Sequence, residues 1–589
     1  MIKTALRTNS CGELSVENAG SVVTLSGWVH SYRDHGGVLF VDLRDKYGLT
    51  QVVFEPTHTP ELIEDASKVR REWCIQVTGT VRKRAEGMEN SNLATGSIEI
   101  LADAFEVFNK SKVPPFEIDD REKINEDVRY KYRYMDLRRP NMLKKMQFRS
   151  KAAQVVRNFL SSDDFLEIET PLLVRSTPEG ARDFVVPSRI HPGSFYALPQ
   201  SPQLYKQILM VAGMDRYFQI ARCLRDEDLR QDRQPEHTQI DLEMSYVETS
   251  DIHRVVEGMF NKLFKEMLNL DLPTTFPRMS YKDAVLYYGT DKPDLRFDVK
   301  ITDVTEIVKD SDFAVFKSVA GSGGVIRCIA PKADFTRKDL DDNIVFAQKC
   351  GAKGMAWMRV TENGLESNIV KFFSEEIQKQ LLEATKAEVG SVLMFIADTE
   401  KTAINVLGRL RNKIGADKEL INKDEFNLVW IVDFPLFEKN DAGKLEPAHH
   451  MFTMPNKEWL DRIATAGEEI TCTQFDLVMN GVELGSGSVR INNPEVQKAV
   501  MDVVGFNDEM AEDRFGFLLD AMKYGAPPHG GCGIGFDRLL TLMLGESDIR
   551  EVIAFPKTST ASSLLDGAPS QIGLDQIMEL SLKILQPKK

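Results

Sequence analysis

From Thr238 onward Gln239, Asp241, Glu243 and Ser245 alternate with Ile240, Leu242, Met244 and Tyr246. That period of two predicts a strand with one polar and one apolar face. The stretch "YFQIARCLRDE" before it alternates in the same way, with Gln219, Ala221, Cys223, Arg225 and Glu227 on one side and Phe218, Ile220 and Leu224 behind. The polar segment 228–236 is short enough to join antiparallel neighbours. The pattern therefore predicts a hairpin with a densely charged face. Such a face is either solvated or the floor of a site that handles anions and metal.

Residues 1–110 carry short alternating strands with glycine-bearing turns and one helical stretch from Pro60 to Arg70, which predicts a small five-stranded barrel. Arg33, Phe40, Gln51 and Glu99 face outward on it, and an aromatic beside arginines can stack single-stranded bases or simply be solvated. Residues 111–140 follow as a charged linker opened by Pro114 and Pro115. There Arg129, Lys131, Arg133, Arg138 and Arg139 interleave with tyrosines, as suits a passing phosphate backbone or a solvated hinge. Helical spacing resumes at Asn141, and "FLEIETPLLV" reads as a strand broken by Pro171. The texture changes over 286–425, where strands alternate with helices as in an inserted α+β domain. Long hydrophobic strands return over 426–556, and 557–589 form a C-terminal extension. The segments that flank the insertion are then 141–285 and 426–556.

Composition changes the picture little. At 589 residues the chain needs several cores, and 42% hydrophobic with 28% charged residues is ordinary for a globular protein. No apolar run approaches a membrane span, and no secretory signal is evident. The 7 cysteines are scattered and form no C-x-x-C pair, which points to a reducing cytoplasm. A net charge of -15 argues against indiscriminate nucleic-acid binding but leaves room for a local basic surface.

Candidate chemistry gathers in the second half. Asn480-Gly481 is a strong hairpin signal that pairs Val478 with Glu483, so Asp476 and Glu483 share a face. Two converging carboxylates suit magnesium held with nucleotide phosphates, or else two solvated acids. Simple parity puts Arg490 on the opposite face unless a bulge at Gly485 or Gly487 resets it. "HGGCGIGFDRLLTLMLGES" predicts a glycine-rich strand turning into an apolar helix with Arg538 at its start, where free N–H groups favour anions. There is no P-loop and no Rossmann fingerprint.

"FLEIETPLL", "RDEDLRQDRQPEHTQIDLE" and "GIGFDRLL" resemble motifs 1, 2 and 3 of the class II aminoacyl-tRNA synthetases. With "TPEGARDF" and "QSPQLYKQ", their order around a large insertion resembles the bacterial aspartyl branch, over essentially the entire chain. The resemblance implies an α+β multidomain fold: an OB-fold barrel for the anticodon, a catalytic domain on an antiparallel sheet, and the insertion. It implies ATP-dependent transfer of L-aspartate to tRNA(Asp) through an adenylate. Arg225 and Arg538 would be the catalytic cations, Arg225 on the α-phosphate and also near aspartate, Arg538 on the γ-phosphate and adenine. Glu227 would meet adenine and Gln234 would contact ATP, with Asp226, Glu483, Gly535, Phe536 and Asp537 lining the nucleotide. Asp476 and Glu483 would hold Mg2+.

For aspartate, the resemblance implies Lys206 and Arg490 on the side-chain carboxylate, Ser201, Gln203 and Asp241 at the ammonium, Glu179 on a closing loop, and His449 completing the pocket. Charge would reject asparagine, which shape alone cannot. One departure is His237, where the family often has an adenine-stacking Phe; imidazole offers a smaller, pH-dependent contact. Arg33, His35, Phe40, Gln51 and Glu99 would read the anticodon. The loop "RDHGG", with His35-Gly36, resembles members that also charge tRNA(Asn); strict tRNA(Asp) specificity is the alternative. Pro171 would lie at a homodimer interface. Lysyl and asparaginyl enzymes, an amide ligase and a non-catalytic tRNA-binding paralogue are rivals. Against them stand the cationic pocket, the insertion, the barrel and the intact motif residues Arg225, Glu227, Glu483 and Arg538.

Overall fold

The computed structural model describes residues 3–177, 181–440 and 442–585. The chain falls into two compact units, one of Met1–Ser150, Leu229–Gln234 and Asp548–Gln571, the other of Lys151–Asp228, Pro235–Ser547 and Ile572–Lys589.

In the first unit five strands close a barrel in the order β1-β2-β3-β5-β4: β1 (Val22–His35), β2 (Val38–Arg44), β3 (Leu49–Phe54), β4 (Cys74–Lys83) and β5 (Ile98–Asn109). Alternation drives the closure, because Leu25, Val41, Val52, Val77 and Ile100 all turn into one dry core. The helix predicted over Pro60–Arg70 is observed over Pro60–Ala66. The arginine-rich linker is neither a solvated hinge nor a free phosphate track. Residues Glu126–Lys131 and Arg133–Asp136 are helical, and their arginines are consumed internally. Asp136, fully buried, accepts from Arg129, Arg133 and Arg139. Arg133 also donates to the carbonyls of Ala554 and Ile553, both at 2.8 Å. Arg138 stacks 4.4 Å over Trp28 and bonds Glu72 at 3.0 Å. The arginine spacing matched a helix whose charges face buried carboxylates, which sequence alone does not reveal.

The second unit is built on an eight-stranded sheet. Its strands and their neighbours run β6 (Leu166–Glu167), the hairpin β7 (Val185–Pro187) and β8 (Phe195–Ala197), β9 (Arg216–Leu224), β10 (Glu236–Ser245) and β11 (Arg278–Ser280). The insertion follows with β12 (Thr302–Asp303), β13 (Val325–Ile329), β14 (Ala356–Thr361), β15 (Gly364–Glu366) and β16 (Val392–Asp398). Then come β17 (Leu428–Val432), the hairpin β18 (Phe437–Lys439) and β19 (Leu445–Pro447), β20 (Phe475–Met479), β21 (Val482–Val489) and β22 (His529–Gly535). The main sheet has the order β11-β17-β20-β21-β22-β10-β9-β6, and the insertion forms its own sheet, β12-β13-β16-β14-β15. The strand predicted from "FLEIETPLLV" shrinks to two residues at the sheet edge.

The helix Thr249–Leu268 lies on the apolar face, where a Cβ at Gly530 would meet Ile252 Cδ1 at 2.9 Å. The helix Gln203–Val211 crosses the polar face and delivers Lys206 to it. That polar face is not solvated: Asp241 and Glu243 are as buried as Ile240 and Leu242.

Candidate active site

The polar floor is assembled by register. Gln219, Asp241, Gly533, Ser486 and Asp476 sit opposite one another in one row across five strands, and Tyr217, Glu243, Gly531 and Ser488 form the next. Glycine is required in the middle strand because the side chains beside it lie over its backbone. A Cβ at Gly533 would fall 1.4 Å from Gln239 Nε2, and one at Gly531 2.0 Å from the carbonyl of Leu242 and 2.3 Å from Glu243 Oε2.

The turn at Asn480-Gly481 pairs Val478 with Glu483, as expected, but the next pair is Leu477 with Gly485. Leu484 is thus an extra residue, a bulge that shifts the parity of everything beyond it. Ser486, Ser488 and Arg490 thereby join the face of Asp476. This is the reset that simple alternation lacked.

Arg490 grips Glu243 with two nitrogens, Nε at 2.9 Å and Nη2 at 3.2 Å, and also donates to Ser488 Oγ at 2.7 Å. Lys206 Nζ lies 2.8 Å from Asp241 Oδ1 and 3.3 Å from Glu243 Oε2. All four side chains are buried, and two cations balance two anions. Burial pushes the Glu243 carboxyl up, but Arg490 and Lys206 more than reverse this and hold it below its ordinary value. Burial wins at Asp241, which Lys206 only partly offsets and Glu243 pushes further up. Asp241 Oδ2 and Gln203 Nε2 are buried without hydrogen-bond partners. The first is an acceptor suited to an ammonium. The second is a donor suited to a carboxylate oxygen, so an ammonium at Gln203 would use Oε1. Ser201 Oγ accepts from the Gln203 N–H.

On the nucleotide side, Arg225 extends the ladder past β9, its N–H donating to the Pro235 carbonyl at 2.8 Å. Asp226 and Arg182 form an antiparallel bridge. His237 shares the face of Gln239 and Asp241, and burial together with Arg225, Arg538 and Arg222 pulls its pKa down to about 3. Burial and the three arginines thus favour the neutral imidazole at this position. Arg538 Nη1 donates to the Glu483 carbonyl at 2.6 Å. Asp537 is buried and accepts the Thr238 N–H at 2.7 Å, tying its helix to β10, and Phe536 is buried. Gly535 caps the helix Phe536–Met543.

Asp476 and Glu483 converge as expected. Asp476 is buried, and burial and the charge of Glu483 push its carboxyl up. No group of three or more metal-ligating side chains occurs among the described residues. His449 stands edge-on to Phe434 with ring centroids 5.0 Å apart, within electrostatic reach of Glu483. Gln234, in the first unit, is buried, and its Oε1 accepts from the Lys557 N–H at 2.8 Å. Glu179 lies outside the described residues. Its flank is held by Gln200, whose Nε2 donates to the Ala181 carbonyl at 2.9 Å and to Asp183 at 2.5 Å.

In the barrel, Arg33 is opposite Phe40 and Asp42 is opposite Gln51, so Arg33, Phe40 and Gln51 share the outer face. Gln51 is nevertheless buried. Glu99, opposite Arg82, accepts from its Nε at 2.6 Å. His35 closes the β1–β2 hairpin around Gly36 and Gly37, both with positive φ (63° and 87°). Pro171 is exposed.

Residues 125–559 match the class II tRNA synthetase family for D, K and N, and residues 23–108 match an OB-fold nucleic-acid-binding domain. The chain belongs to the class II aminoacyl-tRNA synthetases. Curated relatives include an aspartate–tRNA(Asp/Asn) ligase of Treponema denticola, 50% identical over 98% of this chain and 99% of its own. Another, of Geobacillus sp. (strain WCH70), is 49% identical over 99% of both chains. Among solved structures, the asparaginyl-tRNA synthetase of Pyrococcus horikoshii, complexed with asparaginyl-adenylate, superposes with a TM-score of 0.58 at 19% identity, covering 93% of this chain and 98% of its own. The aspartyl-tRNA synthetase of Entamoeba histolytica superposes equally well, at 0.58 and 20% identity, covering 94% of this chain and 92% of its own. These likenesses carry the fold. No described helix of this synthetase is long and apolar enough to cross a membrane.

Sequence reasoning missed Glu243 as a site member. Its alternation put it on the correct face, but its role needs Arg490, 247 residues away.

Proposed function

We propose that this synthetase attaches L-aspartate to tRNA(Asp) through aspartyl-adenylate and charges tRNA(Asn) with aspartate as well. The observation that carries the aspartate reading is the buried quartet Lys206–Asp241–Glu243–Arg490 with its orphaned Asp241 Oδ2. A ligand ammonium would satisfy Asp241 Oδ2, and a second carboxylate would share Lys206 and Arg490 with Asp241 and Glu243. A neutral amide in the same place leaves the cations facing an uncharged dipole and a buried N–H without an acceptor.

The reaction needs no protein nucleophile. The aspartate α-carboxylate attacks the α-phosphorus of ATP and pyrophosphate leaves; a hydroxyl of the terminal adenosine of tRNA then takes the aspartyl group and AMP leaves. The protein orients the reactants and offsets charge as it builds. Arg225 faces the α-phosphate and the aspartate carboxylate, Arg538 the γ-phosphate end, and Glu227 and neutral His237 the adenine. Glu179 and His449 close over aspartate. Asp476 and Glu483 fit a divalent cation held with nucleotide phosphates, since two acids converge there with Asp476 buried. Mg2+ bound there would neutralise phosphate charge.

The barrel face of Arg33, Phe40, Gln51 and Glu99 takes the anticodon, and the Gly36-Gly37 turn, which leaves His35 exposed, supports relaxed reading of its third position. A homodimer forms through motif 1, where Leu166, Leu172 and Leu173 are about half exposed beside the edge strand β6.

Aminoacylation with labelled aspartate, run separately on purified tRNA(Asp) and tRNA(Asn), tests this. Comparable kcat/KM on both is expected. Charging of tRNA(Asp) alone removes the tRNA(Asn) reading, and charging of neither removes the catalytic one.

A further inference from the structure

Lys292 takes no part in the reaction as assigned above. It lies at the root of the inserted domain, and its Nζ sits 2.7 Å from Glu483 Oε2. Asp291 and Asp476 are the other acids that act on it.

The root is held firmly. Arg411, fully buried, donates Nη2 to the carbonyls of Asp294 (2.7 Å) and Phe297 (2.9 Å), and Nε to that of Val299 (2.6 Å). Its guanidinium also stacks 3.9 Å over the Phe297 ring. The Asp294 carboxylate is clamped by Arg296 at 2.9 and 2.7 Å. Asp294 in turn packs on the hairpin turn that carries Glu483: a Cβ at Gly481 would lie 3.1 Å from Asp294 Cβ. The lysine is therefore delivered to Glu483 by a fixed seat, not by a chance surface encounter.

Two carboxylates converge at this hairpin, and one of them already holds an ammonium. A divalent cation arriving with nucleotide needs the same oxygen. We propose that Lys292 is the resident counter-ion of Glu483, a positioning residue that holds the carboxylate in place and yields Oε2 to the divalent cation. This rests on the reading of Asp476 and Glu483 as the cation site. It also gives the insertion a task, since its buried Arg411 holds the loop that carries the lysine. Removing the ammonium leaves the acid pair one charge more negative and without a competitor, so the cation binds more tightly.

The test is Mn2+ binding to the full-length protein with a non-hydrolysable ATP analogue, followed by the paramagnetic resonance signal of free Mn2+, for wild type, K292Q, K292R and E483Q. K292Q is expected to bind Mn2+ roughly fivefold more tightly. K292R, which keeps the cation, is expected to stay within about twofold of wild type. Unchanged or weaker binding by K292Q overturns the proposal, and weaker binding would make Lys292 a ligand of the phosphates instead. E483Q is expected to lose the binding. If E483Q binds Mn2+ like wild type, the cation site itself is misplaced, and the proposal falls with it for that separate reason.

Discussion

Arg490 does two things with one guanidinium: it anchors itself on Glu243 through two parallel bonds, and it donates to Ser488 Oγ and the Gly531 carbonyl on the floor. A lysine there retains the charge but cannot form the fork. Arg490→Lys is expected to raise KM for aspartate about 100-fold, corresponding to roughly 2–3 kcal/mol from a broken buried pair. The loss should appear in aspartate-dependent pyrophosphate exchange, with KM for ATP changed far less. At this scale the sequence was informative about residue type, and about face except at Arg490, which simple parity put on the opposite side; it was less so about partnership. Asp241, Lys206 and Arg490 were legible as pocket charges through the motifs that carry them. Glu243 was legible only as one more acid in an alternating strand, because its two cations come from a distant helix and from beyond a bulge. Lys292 carried no signal at all, since a lone lysine beside a proline reads as loop.

Elements were legible where periodicity was long. The barrel strands and the paired strands β9 and β10 follow their alternation, and the Asn480-Gly481 turn falls where the dipeptide put it, but the strand after it departs from simple alternation at Leu484. The segment 126–139 was misread because arginine-rich spacing carries no information about which acids it meets. Asp136 and Glu551 collect those charges, and Arg129 and Lys145 overcome the effect of burial to hold the Glu551 carboxyl down to about 2. Asp136→Ala leaves Arg129, Arg133 and Arg139 without their shared acceptor. A loss of about 3–5 kcal/mol is expected for the first unit. Urea unfolding followed by fluorescence of Trp28 and Trp73, both in that unit, should show the shift. Aspartate-dependent pyrophosphate exchange at low urea should not change.

For the whole molecule, acid stability depends in part on a histidine that the chemistry does not use. His253 is buried with both ring nitrogens unpartnered, stacked 3.9 Å from Trp430, and burial lowers its pKa to about 3. The unfolded chain takes up this proton near pH 6.5 and the folded one refuses it until about 3. Stability therefore falls as pH drops through that window, by at most about 1.4 kcal/mol per pH unit from this group. His253→Phe, which keeps the stack, is expected to flatten that part of the slope in thermal melts at pH 7, 6, 5 and 4. The bulge at Leu484 has a consequence on the same scale. It works as a phase shifter: one residue sets whether the following strand turns its serines and Arg490 to the face of Asp476 or through the sheet. Deleting Leu484 would leave the net charge and every other residue intact, yet the pocket would be read in the wrong frame. A change in the length of that hairpin is thus expected to cost this enzyme more than a conservative exchange at a position off the pocket face.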